Sequence, residues 1–256
     1  MKLATWNVNS LRTRLPHVLR WWDATQPDVL LLQETKVEDA LFPRTALEER
    51  GLHLAIHGQK SYNGVAIVSK HPITDVVHGF NGQIFNDHAR VITATTGGLR
   101  VMSVYVPQGE SVDSPKFAFK QQFAQRLTAK LAGQLALHPK LVVGGDFNVA
   151  MTELDVDDPA KRAGHCMFTL DERAWLGSLI NLGLHDALRL VDATGKVFSW
   201  WDYRDLAFVK NRGLRIDYLF VSAALKAKVS DVTHFKDERT QPQPSDHVPV
   251  MVEITV

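Results

Sequence analysis

The segment LVVGGDFN, residues 141–148, predicts a buried strand that ends in a polar turn. Three apolar residues favour the strand, two glycines allow a tight backbone turn, and Asp146 and Asn148 follow where the strand ends. In open α/β sheets, ligands bind at the carboxyl ends of strands. A carboxylate and an amide two residues apart suit a hydrolytic site. Asp and Asn are also ordinary turn formers, so the other strand ends must support this interpretation.

The composition is that of a soluble globular protein. The 256 residues are 45% hydrophobic and 22% charged, with a formal net charge of +1. This balance gives no bulk attraction for nucleic acid, so an anionic partner would need a local cluster of charge. The single cysteine, Cys166, excludes an internal disulfide and favours a reducing compartment. Because the sequence has neither a signal-peptide core nor an apolar run of the ~18 residues that cross a membrane, we expect a cytoplasmic protein.

Strand and helix patterns alternate along the chain, which predicts a single α/β domain over residues 1–256. Ser10 is predicted to cap the first helix, and a long helix is predicted from Ser114-Pro115 to about Leu137. Gly97-Gly98 predicts a hairpin. Apolar strands that end in an acid or an amide recur at wide spacing, which indicates two packed sheets. Strands are predicted at residues 3–6, 29–33, 53–57, 64–69, 73–77, 90–95, 99–106, 214–221, 229–235 and 248–256, besides the one at 141–146.

Polar side chains at five strand ends could converge on one site: Asn7, Glu34, Tyr105, Asp146 with Asn148, and Asp246-His247. Asp217 lies inside a strand, and a carboxylate in apolar surroundings needs a charged or hydrogen-bonding partner. His247 is the most natural partner, because a neighbouring carboxylate orients an imidazole and favours its charged form. A salt bridge from Asp217 to Arg212 or Arg215 is the structural alternative. Each of the other residues, taken alone, also fits an ordinary strand end.

Oxygen ligands dominate this set, and Cys166 is not near a His-rich motif, so zinc is disfavoured. Carboxylates with water suit Mg2+ or, alternatively, Mn2+. Glu34 is the expected principal ligand. The ion would polarise a phosphoryl oxygen and stabilise the leaving alkoxide.

Six segments, in this order, resemble the successive motifs of the exonuclease III family of DNA-repair nucleases: TWNVNSLR, LLLQETK, YVPQGE, GGDFNVA, NRGLRIDYL and SDHVPV. They span nearly the whole chain. The wider superfamily includes DNase I, sphingomyelinases and inositol polyphosphate phosphatases, but SWWDYR and NRGLRID resemble the exonuclease III branch. The resemblance implies a four-layer DNase I-like α/β sandwich, two β-sheets face to face with helices outside, and a metal-dependent phosphodiesterase.

The resemblance also implies roles for the candidate residues. Glu34 would bind the metal with Asn7 beside it. Asp146 would activate or orient the attacking water, and Asn148 would position that water and the phosphate. Asp246 would bind a second metal or orient the waters of the first.

His247, paired with Asp217, would stabilise the charge that develops on the phosphate, where oxyanion-type catalysis acts. Tyr105 would hold the phosphate or the leaving group through its hydroxyl. Either Asp146 or the His247–Asp217 pair could be the general base, and the sequence leaves both open. In-line attack would leave a 3′-hydroxyl and a 5′-phosphate.

Local features are expected to hold DNA. Trp200 and Leu214 match positions that line the family's pocket for an extruded or terminal nucleotide, where an aromatic ring could stack on a base or sugar. An ordinary core position is the alternative for Trp200, and the favoured one for Trp201. Solvated surface is the alternative for the candidate phosphate contacts, which are Arg90, Lys116, Arg204, Asn211, Arg212 and Arg215.

His165, in AGHCMFT, departs from the smaller or more flexible residue expected beside that pocket. The hypothesis is that its imidazole narrows the pocket, hinders an internal abasic nucleotide and still admits a 3′ end. A surface histidine is the simpler alternative. The hypothesis favours 3′–5′ exonuclease or 3′-end trimming in base excision repair over abasic-site incision, and a full AP endonuclease is the alternative main activity.

The leading interpretation is a Mg2+-dependent DNA repair nuclease. Its expected partner is double-stranded DNA with 3′ ends, nicks or abasic sites. We expect a monomer in the cytoplasm, associated with the nucleoid when acting, and no membrane partner. A lipid or inositol phosphodiesterase would need a membrane-facing or polyphosphate-binding element that the sequence does not supply. A non-catalytic DNA-binding module is opposed by the complete set Glu34, Asp146, Asn148, Asp217 and His247.

Overall fold

The computed structural model describes residues 1–80 and 88–255. Its strands are β1 Lys2–Asn7, β2 Val29–Gln33, β3 His53–His57, β4 Val65–Ser69, β5 Ile73–His78, β6 Val91–Thr96, β7 Leu99–Tyr105, β8 Leu141–Asp146, β9 Leu184–Asp186, β10 Asp217–Ser222, β11 Val229–His234 and β12 Val250–Ile254. Its helices are α1 Leu11–Thr25, α2 Arg44–Glu48, α3 Pro115–Leu137, α4 Pro159–Arg162, α5 Leu170–Asn181, α6 Ala187–Val191 and α7 Ala223–Lys226, with 3-10 turns at Asp39–Leu41, Glu153–Asp155 and Lys236–Thr240.

These strands form two mixed six-stranded sheets, as the family resemblance implied. The first has the order β11-β12-β1-β2-β4-β3, and the second β5-β6-β7-β8-β10-β9. Side chains alternate along β8: Val142 packs between the sheets, while Leu141 and Val143 pack against the outer helices α3 and α5. Helix α1 covers the outer face of the first sheet. The result is a four-layer α/β sandwich, and both faces of each central strand are buried.

The two glycines of LVVGGDFN lie within β8, where they permit close approach. A Cβ on Gly144 would lie 2.7 Å from a Leu219 methyl group and 2.8 Å from a Leu31 methyl group. A Cβ on Gly145 would lie 1.9 Å from the carbonyl oxygen of Val104 on the neighbouring strand. The prediction that both glycines form a tight turn is therefore wrong, and packing against neighbouring strands explains them instead.

Two other local predictions, the Ser10 cap and the start of the strand at residue 214, are wrong. Ser10 makes no capping hydrogen bond, because its backbone has φ 88° and its hydroxyl pairs with Thr13. The strand predicted from residue 214 begins only at Asp217, since Leu214 forms isolated bridges to Val156 and Trp200. The predicted hairpin and the long helix are confirmed, and Ser114 caps that helix by accepting from the backbone N–H of Lys116.

Strand register brings the candidate residues to one edge of the sandwich. In the second sheet Asp146 lies opposite Tyr105 on one side and Asp217 on the other. In the first sheet Asn7 ends β1 beside parallel β2, which Glu34 follows directly. His247 precedes β12 and bridges to Trp200. Among residues 1–80 and 88–255, no helix is both long and apolar enough to cross a membrane.

Candidate active site

The amide of Asn7 joins the two sheets at the centre of the site. Its nitrogen donates to Glu34 Oε1 at 2.8 Å and to Asp146 Oδ2 at 2.9 Å. Its oxygen accepts from the backbone N–H of Asn9 at 3.0 Å. Two carboxylate partners require a donor, so the amide nitrogen must face them. Asn7 therefore holds Glu34 and Asp146 in place through N–H groups, and its oxygen is already engaged with Asn9.

Asn148 supports the same carboxylate of Asp146 with two further hydrogen bonds. Its backbone N–H donates to Asp146 Oδ1 at 2.9 Å, and its side-chain amide donates to Asp146 Oδ2 at 3.1 Å and to the carbonyl of Val106 at 3.0 Å. The residue has φ 50°, a left-handed conformation that asparagine tolerates better than most residues. Such strain persists where the surroundings over-determine it, and it is common at active sites.

His247 and Asp217 form a buried pair. His247 Nδ1 lies 2.8 Å from Asp217 Oδ2, and its Nε2 lies 3.7 Å from Asp146 Oδ2. Burial lowers the pKa of His247, but the charges of Asp217 and Asp146 outweigh it and raise the pKa to about 10. The imidazole is therefore a cation at neutral pH: Nδ1 donates to Asp217, and Nε2 faces Asp146 beyond hydrogen-bond distance. This confirms His247 as the partner predicted for Asp217.

The structural alternative for Asp217 is wrong, and so is the prediction that Arg215 contacts phosphate. Arg215 is buried and pairs with Asp155 at 2.7 Å and with Asp186 at 2.7 Å. Arg189 adds a second cation to Asp155 at 2.6 Å. The network lies beneath the site and holds β9 and the turn at 153–155 against β10.

Asp146 has the electrostatic properties of a general base. Burial raises its pKa to about 7, an effect opposed by the His247 cation and reinforced by Asp217 and Glu34. A group whose pKa is near the working pH is well matched to proton transfer, because it is both available as a base and able to accept a proton.

The donor set fits a hard divalent cation. Ligand atoms of Glu34, Asp146 and His247 all lie within 4.8 Å of one another. Because a protonated imidazole has no lone pair on either nitrogen, the two carboxylates are the groups suited to hold an ion, and carboxylate oxygens suit Mg2+ or Mn2+. Lys36 Nζ lies 2.8 Å from Glu34 Oε2 and donates to Asn9 Oδ1 at 2.6 Å.

Tyr105 and Arg90 form one wall of the site. The Arg90 guanidinium lies 4.5 Å from the centre of the Tyr105 ring and donates to the Tyr105 carbonyl at 3.3 Å. Burial, followed by the charge of Glu34, raises the pKa of the Tyr105 hydroxyl well above its usual value. The phenol therefore remains protonated and can donate a hydrogen bond to an anionic group.

Asp246 lies beside the metal-ligand group without belonging to it. Its Oδ1 accepts from Asn9 Nδ2 and its Oδ2 from Trp200 Nε1, both at 2.9 Å. The carboxylate therefore fixes the indole of Trp200. Asn9 and Lys36 were missed at the sequence level, although both lie inside motifs that carried the family resemblance.

A groove of about 830 Å³ opens beside Trp200. Four predicted substrate residues line it together with Arg204, namely His165, Trp200, Asn211 and Arg212. Leu214, predicted beside the nucleotide, is only 1% exposed and packs in an apolar cluster with Trp200. Trp201 is likewise a core residue. Lys116 is exposed and pairs with Glu110.

A four-layer sandwich with this acid, amide and histidine site is the architecture of a phosphoesterase-type hydrolase. The profile of the Endonuclease/Exonuclease/phosphatase family matches residues 4–247, and the chain belongs to this family. It is 38% identical to exodeoxyribonuclease III of Haemophilus influenzae over 99% of both chains, and 31% identical to an exodeoxyribonuclease of Bacillus subtilis over 100% of both. The exonuclease III resemblance of the motifs is thereby confirmed.

Solved structures agree over the whole chain. A 3′-5′ exonuclease (NExo) from Neisseria meningitidis is 43% identical with a TM-score of 0.98, and an AP endonuclease from Archaeoglobus fulgidus is 35% identical with a TM-score of 0.97. Both comparisons cover 100% of each chain. A Neisseria structure described as a 3′ phosphatase bound to a product DNA hairpin is 42% identical, with a TM-score of 0.98 and the same full coverage.

Proposed function

We propose that this chain is a divalent-metal-dependent DNA repair nuclease that hydrolyses phosphodiester bonds, with Mg2+ as the ion and Mn2+ as the alternative. The observation that carries the proposal is the meeting of Glu34 and Asn7 from one sheet with Asp146 and the Asp217–His247 pair from the other. The relatives named as exodeoxyribonucleases support DNA as the substrate. The proposed substrates are DNA duplexes with 3′ ends, nicks or abasic sites. We further propose that the protein is a single-domain monomer that acts in the cytoplasm, at the nucleoid.

The mechanism assigns proton transfer to Asp146. His247 lies between two carboxylates, 2.8 Å from Asp217 and 3.7 Å from Asp146, and their charges raise its pKa and keep it protonated, so Asp146 is the group left to accept a proton. Asp146 therefore takes a proton from the attacking water while the water oxygen bonds to phosphorus and the bond from phosphorus to the 3′ oxygen breaks. The 3′ oxygen leaves and takes a proton from solvent, and Asn148 holds Asp146 and the water in line with phosphorus. His247 Nε2 and the Tyr105 hydroxyl stabilise charge on the phosphoryl oxygens. Glu34, as the principal ligand beside Asp146, would hold the metal, and the ion would supply further positive charge for the leaving oxygen.

Trp200 and His165 are proposed to select the nucleotide. The indole of Trp200 is fixed by Asp246 at the entrance to the groove, which suits stacking on a terminal base or sugar. The backbone of His165 is tied to Arg162 and Phe168, and its side chain is exposed in the groove. We propose that this imidazole disfavours an internal abasic nucleotide, so that 3′-end trimming exceeds abasic incision. The matches named as a 3′-5′ exonuclease and a 3′ phosphatase are in line with this preference.

The test compares recessed, nicked, 3′-phosphate and abasic duplexes in Mg2+ and then in EDTA. We expect cleavage in Mg2+ only, and Asp146→Asn should bind the duplex without turning it over. Cleavage of lipid or inositol phosphates but not of DNA, or binding without cleavage by the wild type, would overturn the proposal. His165→Gly should raise the ratio of abasic incision to 3′ digestion. An unchanged ratio would show that His165 does not determine this substrate preference. Sedimentation analysis of the free protein tests whether it is a monomer.

A further inference from the structure

A buried lysine lies directly behind the catalytic Asn148. Lys120, on α3, has its side chain 2% exposed, and its ammonium contacts the carboxylate of Glu172, which is 4% exposed. The same ammonium donates to the carbonyl of Asn148 at 2.7 Å and to the carbonyl of Gln108 at 3.0 Å. The three N–H groups thus have three acceptors, which is the full capacity of a lysine.

The contact with Asn148 fixes a residue whose backbone is strained. Asn148 has φ 50°, and its side chain must still reach Asp146 and Val106. Asp146 holds its backbone N–H, while Lys120 holds its carbonyl. Both backbone polar groups of Asn148 are therefore anchored, which fixes the backbone that carries the amide. Lys120 therefore completes the set of contacts that over-determines this conformation.

Glu172 extends the same connection to the loop that carries His165. Its Oε1 also accepts from the backbone N–H of Met167 at 3.0 Å, and its Oε2 accepts from the N–H and hydroxyl of Thr169 at the start of α5. Ala150, two residues after Asn148, donates its N–H to the Met167 carbonyl at 2.8 Å. One ion pair thus joins α3, α5 and the two loops that flank the proposed nucleotide site.

Stability alone does not account for a charge at this position. Lys120 occupies the buried stripe of α3, in series with Phe117, Phe123 and Leu127. Well-packed apolar residues in place of a buried ion pair are often neutral or stabilising. What an apolar residue lacks is a donor for the Asn148 carbonyl.

We propose that Lys120 and Glu172 are a positioning pair that holds Asn148 in its reactive geometry without touching the substrate. This inference rests on the proposed nuclease function and identifies a pair of residues that positions one of its catalytic groups. The test uses the double variant Lys120→Met/Glu172→Gln, which removes both charges and so leaves no unpaired ion in the core. Lys130→Met, the same substitution at a partly buried position further along α3, is the matched control.

On a recessed 3′-end duplex, we expect kcat of the double variant to fall about 10–100-fold, the range found when groups supporting a catalytic centre are removed. KM should stay within about threefold, and the Lys130→Met control should keep the wild-type kcat. The single variant Glu172→Gln keeps the hydrogen bond from Lys120 to the Asn148 carbonyl, so its kcat should fall less than that of the double variant. If the double variant melts below the assay temperature, Lys120→Gln/Glu172→Gln replaces it. This pair of amides also leaves no unpaired ion in the core, and the shorter amide at position 120 should give the same direction of change in kcat.

The same double substitution made in an Asn148→Gly protein distinguishes a loss of positioning from general structural damage. Asn148→Gly removes the side chain but accepts the left-handed backbone. In that background the double substitution should change kcat by less than about threefold, because its effect passes through the absent amide. A full additional loss there, or an unchanged kcat in the wild-type background, overturns the inference. Absence of any turnover in the wild-type protein would instead overturn the proposed function, so the two failures are distinct.

Discussion

Replacing Asp217 with asparagine tests the buried histidine most directly. The amide has the size of the carboxylate, and its oxygen can still accept from His247 Nδ1, which lies 2.8 Å away. The change therefore removes a charge and keeps the geometry. The charge of Asp217 is the largest of the effects that raise the pKa of His247, so that pKa must fall in the variant.

The expected loss follows from the role of His247 as a fixed cation beside the phosphate. Losing one preorganised donor of this kind costs about 10²–10³ in kcat, or about 2.7–4 kcal/mol. The assay is the single-turnover rate on a recessed 3′-end duplex at saturating Mg2+, with an NMR titration of the His247 imidazole in parallel. Asp231→Asn, at an exposed aspartate on β11, is the control. A rate within threefold of wild type, or an unchanged imidazole pKa, would refute the reasoning.

The remaining predictions concern stability and the metal. Because the pKa of His247 is raised from 6.5 to about 10 in the fold, its pairing with Asp217 stabilises fully below pH 6.5 and is lost as the pH rises towards 10. In urea unfolding, the difference in unfolding free energy between wild type and Asp217→Asn should therefore be larger at pH 6 than at pH 9. An equal difference at the two pH values would contradict the pairing. Arg215→Met leaves the buried Asp186 without a cation and Asp155 with Arg189 alone, and it should cost about 3–5 kcal/mol of unfolding free energy, against little for the exposed Arg12→Met. A loss below 1 kcal/mol would show that the network is not a stabilising one. Glu34→Gln should raise the Mg2+ concentration for half-maximal activity by at least about tenfold, and an unchanged Mg2+ titration would exclude Glu34 as a ligand.

Much of the architecture follows from short-range pattern. The apolar run at 141–146, the hairpin around Gly97-Gly98 and the helix from Pro115 to Leu137 were all predictable, because strand and helix periods are local properties of a chain. The polar residues at strand ends were also predictable as one site, since the carboxyl ends of neighbouring strands share an edge.

The sequence by itself therefore determined which elements form and which side chains could meet, but tertiary structure decided what each side chain does. Asn7 faces its carboxylates with N–H groups, Asp246 fixes Trp200, and Lys120 reaches behind Asn148. Such pairings join residues far apart in the chain, as the hydrogen bond between Asn9 and Asp246 does across 237 positions. Hydrogen-bond direction and partner choice depend on distances of a few tenths of an ångström, and only packing of the two sheets sets those distances.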